Sequence, residues 1–463
     1  MSQPAPGARS SSRRIRLDAL AALAVVLPLL TAGALLLVRP DAPSTAVQPP
    51  TRTALTSATV ACPTAQSAGG DALVATAQEG ASGRVQVRSG SSTTSLALRS
   101  GRPSAVRGAG PLAVTGQDEL APGLLGGRFS ASRRGLAGSS CPAPSADQWF
   151  TGVGADPRHS SVLELVNPDA GRAVADVTVL GPSGPVDVAR LRGVAVLGHS
   201  SVRLDLAALA PRRGDLALHV VTSRGRLSGT VLDSVDELGA GRSSQDWLPA
   251  QAAPGADSLL LGLAPGTGSR TLVVANPGES EVRVQLKVVS PRSSYVPAGT
   301  EPFSVPAGST VRIPVEAPLR SAPRGGALGL ELVASGPVTA SVRSFVDGDL
   351  SAAVPAGRFT EPTATVLPGA RAQLLLSGAR RSGRAAVTGW SATGRRVLGT
   401  RVTVTPGRGT ALGVPARVRL LTVDPGRTSM SGAVLVTGRG ATVLPLPELV
   451  RNGLVPAVRP GLS

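Results

Sequence analysis

Ser161–Gly184 reads SVLELVNPDAGRAVADVTVLGPSG, and Ser269–Arg292 answers it with SRTLVVANPGESEVRVQLKVVSPR. Each stretch is an apolar run, an Asn-Pro corner and then strict apolar–polar alternation. A period of two belongs to a strand with one buried face, so each stretch predicts a β-hairpin in a half-buried sheet. The corners Asn167-Pro168 and Asn276-Pro277 fall 109 residues apart. A return at that spacing predicts tandem β-domains and speaks to architecture rather than chemistry.

Working outward, Ala173, Ala175, Val177 and Val179 form one inward row, and Val202, Leu204 and Leu206 another. Leu216, Leu218 and Val220 make a third. Val282, Leu286 and Val288, then Val311, Ile313 and Val315, then Leu328, Leu330 and Leu332 repeat the pattern. GPSGP, SRGR, SGP and PAGS separate the rows with turn-forming residues. Trp149 opens one unit in DQWFTG, and Trp247 opens the next in QDWLPA. The pattern predicts an all-β chain of immunoglobulin- or fibronectin-like sandwich repeats over 146–240, 241–355 and, in shorter form, 356–463. The last lacks the Asn-Pro corner and carries Trp390 in mid-strand. Residues 59–145 form an N-terminal β region with hairpin periodicity at first and loop-like sequence after it. A β-propeller is the alternative fold.

Leu17–Val38 is the one long apolar run. Its length suits a helix crossing about 30 Å of hydrocarbon. Arg9, Arg13, Arg14 and Arg16 precede it, so the positive-inside rule keeps residues 1–16 as a cytoplasmic tail and exports the body. The apolar run exceeds the roughly 7–15 residues of a cleaved signal peptide, which favours an uncleaved signal anchor in the plasma membrane. Residues 39–58, rich in Pro, Ser, Thr and Ala, read as a tether. Cys62 and Cys141 are the only cysteines. In an exported chain such a pair predicts a structural disulfide.

The net charge is +18 and almost all of it is arginine, Lys287 being the only lysine. A basic exported surface is drawn to anionic envelope polymers, and no nucleic acid is expected, because stacking aromatics are scarce. The search for chemistry is largely negative. His159, His199 and His219 are isolated in sequence, without H-x-x-x-H or C-x-x-C spacing, so no metal or other cofactor is expected. His219 reads as an exposed strand residue, and His159 and His199 as polar turn residues. Neither G-x-S-x-G nor S-x-x-K occurs. Asp233, Asp236 and Glu237 cluster in VLDSVDELGAG, the place where a calcium ion or a carboxylate pair for glycoside hydrolysis would be sought.

CPAPSADQWFTG followed by the Ser161–Gly184 hairpin resembles a family of actinobacterial membrane-anchored proteins of unknown function. Its members have two cysteines and a tryptophan leading into an L-x-L-x-N-P corner. Genes of that family often neighbour glycosyltransferase genes, which implies work on envelope polysaccharide. The resemblance supplies no catalytic residues. Together these readings predict a non-catalytic, membrane-anchored envelope scaffold that engages an anionic polymer or a partner protein. A polysaccharide-processing enzyme using Asp233 and Asp236, or an accessory subunit of a membrane glycosyltransferase, are the alternatives.

Overall fold

The computed structural model describes residues 19–37, 51–66, 70–131, 135–237, 242–251, 253–320, 322 and 326–455. The chain divides into a large body, Thr53–Gly453, and a small one made of Met1–Arg52 with Leu454–Ser463. The small body contains the helix Ala19–Leu37. The Thr31 hydroxyl donates back to the carbonyls of Leu27 and Pro28, so its polar group is satisfied within the helix. Leu23, Val25, Val26, Leu27, Leu29 and Leu30 are exposed. Only residues 23–34 have described side chains there, and among the described residues no helix is long and apolar enough to cross a membrane. The predicted tail 1–16, Leu17, Asp18, Val38 and tether residues 39–50 lie outside the described residues.

The large body is all-β, with short helical turns such as Leu206–Leu209 and Glu316–Arg320. It repeats one antiparallel pairing plan four times. In the first unit one ladder runs Ser57–Cys62, Leu112–Gln117, Ser82–Ser89, Ser92–Arg99. The second runs Ser104–Val106, Ala72–Thr76, Leu124–Ala131, Leu136–Ser140.

The second unit keeps that order with Asp147–Asp156, Arg213–Arg224, Ala173–Gly181, Gly184–Val186. Its other ladder is Ser201–Asp205, His159–Val166, Ser228–Glu237, Arg242–Pro249. In the third unit the strand Gly329–Val346 serves both ladders. Residues 329–334 pair with Val282–Val289, and residues 339–346 pair with Gly268–Asn276. Gly255–Leu261 and Ser294–Tyr295 complete its first ladder, Ser309–Pro314 and Asp349–Ala353 its second.

The fourth unit has Thr363–Val366, Leu420–Asp424, Gly383–Trp390, Arg396–Val404. Against these stand Thr410–Val414, Arg371–Ser377, Met430–Thr437, Ala441–Pro445.

Several expectations shift. Strands Thr51–Ala54 and Ser57–Cys62 begin inside the predicted tether. Trp247 lies in the last strand of the second unit, opposite Leu232, so hydrogen bonding carries that unit through Pro249 rather than ending it at 240. Trp149 lies in the first strand of the same unit, so the two tryptophans do not mark matching positions. The fourth unit carries the full plan.

The Asn-Pro corners do repeat. Asn167 Nδ2 donates to the carbonyls of Gly171 (2.7 Å) and Val196 (3.1 Å), and its Oδ1 accepts from Asp169 N (3.0 Å). Asn276 Nδ2 donates to Ser280 O (2.8 Å) and Val305 O (3.0 Å), and Oδ1 accepts from Gly278 N (2.9 Å). Both amides are buried, and Pro168 and Pro277 set the corner that follows. In the fourth unit Ser377 ends the corresponding strand and donates to Arg408 O. Asn276→Ala removes the partner of four backbone groups, the Pro306 carbonyl included, and is expected to cost about 2–4 kcal/mol, read as a lower urea midpoint with unchanged slope.

The units pack in a closed ring. Phe129, Leu125 and Ala75 of the first share a core with Leu374, Val387 and Leu420 of the fourth. Leu375, Leu435 and Val443 of the fourth join the third unit's core, and Ala352 and Val354 of the third join the second's. The first and second are tied by Glu164, which accepts from Thr64 N at 2.8 Å and from Thr64 Oγ1 at 2.5 Å.

Candidate functional site

The last strands of the four units, Leu136–Ser140, Arg242–Pro249, Asp349–Ala353 and Ala441–Pro445, stand around one axis, each touching the next and the fourth touching the first. Two carboxylates join them. Asp349 Oδ1 accepts from Ser244 Oγ at 2.8 Å and Oδ2 from Ala441 N at 2.6 Å. The Leu136 N–H also donates to it, and Leu350 N donates to Ser244 Oγ at 3.1 Å. A single side chain therefore contacts all four units. Gly135 and Gly440 make the room, because a Cβ at either would collide with the carboxylate. Asp246 Oδ1 accepts from Gly138 N (3.0 Å) and Trp247 N (2.8 Å), and Thr442 Oγ1 lies 3.0 Å from Oδ2.

Burial raises the pKa of both groups, since an ion loses its water there while a neutral acid does not. The donors pull back against this without prevailing. Asp246 is pushed well above the usual carboxylate range, and the nearby Asp349 adds to the rise. A neutral Asp246 has one O–H, which fits donation to Thr442 Oγ1. The Thr442 hydroxyl is then free to donate to Gly138 O at 3.3 Å.

A raised folded pKa contributes stability in full below the unfolded value, near 3.9, and loses it as pH climbs to the folded pKa. Asp246→Asn keeps a donor toward Thr442 and cannot ionise. Thermal melts between pH 5 and 8 should show the wild-type midpoint falling with pH and the variant's staying flatter. A parallel fall in both would remove Asp246 as the source.

Beyond the aspartates each axial strand reaches an X-Pro pair: Cys141-Pro142, Leu248-Pro249, Val354-Pro355 and Leu444-Pro445. Proline offers no N–H, so regular pairing stops there. A cavity of about 510 Å³ opens at that end of the axis. Its wall includes Val60, Leu125, Cys141, Thr365 and Leu449. Gln251 also lines it. Gln251 N donates to Trp149 O (2.9 Å) and its Oε1 accepts from Thr339 Oγ1 (2.5 Å). Its Nε2 is buried without a partner.

Between the second and third units lies another polar cluster. His159 Nε2 is 2.8 Å from Asp233 Oδ1, and Ser161 Oγ donates to the same oxygen at 2.5 Å. Arg343 Nη1 lies 2.7 Å from His159 Nδ1, and Arg343 Nη2 is 3.6 Å from Asp215. Burial pushes the Asp233 carboxyl up, but His159, Arg343 and Ser161 outweigh it and bring it below the usual range. Serine, histidine and aspartate are all present here, but the serine bonds the aspartate and arginine occupies the far side of the imidazole. The order leaves no hydroxyl for the histidine to activate.

Of the histidines, His159 departs from its sequence reading, while His199 lies in a turn and His219 in a strand as expected. His159 is a buried strand residue rather than a turn residue, because Asp233 and Arg343 supply partners inside. His199 holds a left-handed backbone (φ 55°) at the corner where the third unit has Gly308 (φ 60°). Its Nδ1–H donates to Pro168 O at 2.9 Å. His219 stacks on Trp149 with ring centroids 4.0 Å apart.

Cys62 and Cys141 form the predicted disulfide, which links the two ladders of the first unit. Asp236 is exposed on the strand face opposite buried Asp233, so those two do not converge across a cleft. Among the described residues, no group of three or more His, Cys, Asp or Glu is placed to hold a metal ion. Asp246, Asp349, Gln251 and the four axial prolines were not singled out from sequence. The recurring X-Pro, followed by alanine in the first three units, is the signal that marks them.

The model of a family described as a family of unknown function, DUF5719, matches residues 101–415. No curated protein matches the chain.

Proposed function

We propose, from the premise that the chain belongs to the DUF5719 family of unknown function, that it is a membrane-anchored, non-catalytic scaffold of the cell envelope. The large body lies on the extracytoplasmic side of the plasma membrane. Its four units are immunoglobulin-like sandwiches in a ring, offering surface to an anionic envelope polymer or a partner protein. The observation that carries this reading is the helix Ala19–Leu37, with hydrocarbon exposed along the described part, ahead of a disulfide-closed body. An all-round apolar helix calls for lipid or a protein interior, and a structural disulfide calls for an oxidising compartment.

The fourth unit supports the polymer half of the proposal. Arg380, Arg381, Arg384, Arg395, Arg396 and Arg401 are exposed, and none is in an ion pair among the described residues. Three of them ride on the paired strands Gly383–Trp390 and Arg396–Val404, so their charges add over one sheet.

Protease added to intact spheroplasts should digest the body and leave a membrane-retained fragment bearing the helix. Full protection would overturn the topology. Crosslinking in intact cells followed by mass spectrometry should recover a recurrent partner, and a membrane glycosyltransferase among the products would favour the accessory-subunit role. Recovery of abundant background proteins alone would overturn the scaffold.

A further inference from the structure

We propose that the axial cavity holds the acyl chain of a lipid, with an ester or carboxyl oxygen of that lipid accepting a hydrogen bond from Gln251 Nε2. The proposal rests on the membrane-anchored reading above, and its test separates the two.

Three observations carry it. First, the wall is mostly apolar, with scattered serine and threonine hydroxyls. Pro142, Pro249, Pro355 and Pro445 bring rings without N–H groups to the opening, and the charged side chain there, Glu448, is exposed at the rim. A volume of about 510 Å³ is in the range of small-ligand sites and takes a bent hydrocarbon chain. Second, Gln251 is 6% exposed and its amide N–H₂ has no partner. Its Oε1 is taken by Thr339, so the free donor selects a ligand with an acceptor oxygen rather than a bare hydrocarbon.

Third, the mouth carries exposed apolar surface beside the first strands of the body. Leu55 N donates to Arg451 O at 3.1 Å, beside Val450 at the rim, and Ala58, Thr59 and Val60 line the cavity. Val450 is itself 58% exposed, one of few large apolar side chains the body leaves in water. An exposed apolar side chain at the rim of a mostly apolar cavity suits the hydrocarbon chain of a lipid.

The test uses the full-length chain in living cells fed a palmitate analogue carrying a diazirine and an alkyne. After irradiation, labelled peptides are mapped by mass spectrometry. Label is expected on the helix Ala19–Leu37, which reports membrane contact, and on peptides containing Ala58–Val60, Pro249–Gln251 or Pro445–Leu449. Gln251→Leu should lower the cavity label about fivefold or more, the loss expected for one buried hydrogen bond, with helix label unchanged. Ala250→Trp, which fills the cavity, should abolish cavity label alone.

Label confined to the helix would overturn the lipid site and leave the anchor standing. Label in the cavity but not on the helix would support the site and overturn the anchor. No label at either place would overturn both. Undiminished cavity label in Gln251→Leu would overturn the role assigned to its amide. That variant is close to isosteric, so it keeps the test sound should Ala250→Trp fail to fold.

Discussion

Asp349→Ala is expected to destabilise the large body by about 4–8 kcal/mol. The carboxylate accepts from Ser244 Oγ and from the N–H groups of Leu136 and Ala441. Alanine leaves these buried donors without an acceptor, at about 1–3 kcal/mol each. Ordinary domains have only about 5–15 kcal/mol in total, so most of the margin would go. Asp349→Asn retains one oxygen but turns an amide toward the remaining donors, and should lose about half as much. Asp236→Ala, on an exposed face, should stay within about 0.5 kcal/mol of wild type. Urea unfolding followed through the fluorescence of Trp247, which is 2% exposed beside Asp246, reads all three. Equal midpoints for Asp349→Ala and Asp236→Ala would remove the axial carboxylate from its structural role.

The second large effect belongs to the disulfide. Cys62 and Cys141 are 79 residues apart in sequence, and closing a loop of that length restricts the unfolded chain by about 4–5 kcal/mol on the chain-entropy model. The pair is buried in the core of the first unit, between strand Ser57–Cys62 and the end of strand Leu136–Ser140. Replacing both cysteines by serine should lower stability by a similar amount. Because Phe129 and Leu125 complete the fourth unit's core, the loss should spread beyond the loop itself. Limited proteolysis of the double variant should cut first within residues 57–141 and then in the fourth unit. First cuts in the second or third unit would contradict that order.

What the sequence made legible follows from which faces are wet. Strand Ala173–Gly181 shows the alternation of a half-buried strand, and its hairpin was readable at once. Leu124–Ala131 and Asp349–Ala353 are buried on both faces by the neighbouring unit and so lose the period of two. For that reason the second half of the N-terminal region read as loop. Asp349 directly follows a turn at Asp347-Gly348, both with positive φ, so no alternation leads into it. Asp246 was overshadowed by Trp247, which read as a domain opener. Both functional candidates are products of ring closure, a relation between residues some hundred or three hundred positions apart. The Asn-Pro corners were visible because each is satisfied locally, within about thirty residues.

The joining of the first unit to the fourth also has a consequence for biosynthesis. A growing chain releases Phe129 and Leu125 long before Leu374 and Leu420 exist to cover them. Early units fold first, so the nascent protein carries an unmet apolar face for most of its translation. Joining units so far apart in sequence is expected to slow folding, as in other topologies rich in non-local pairs. Truncation after the third unit would therefore yield a sticky intermediate rather than a smaller stable version of the protein.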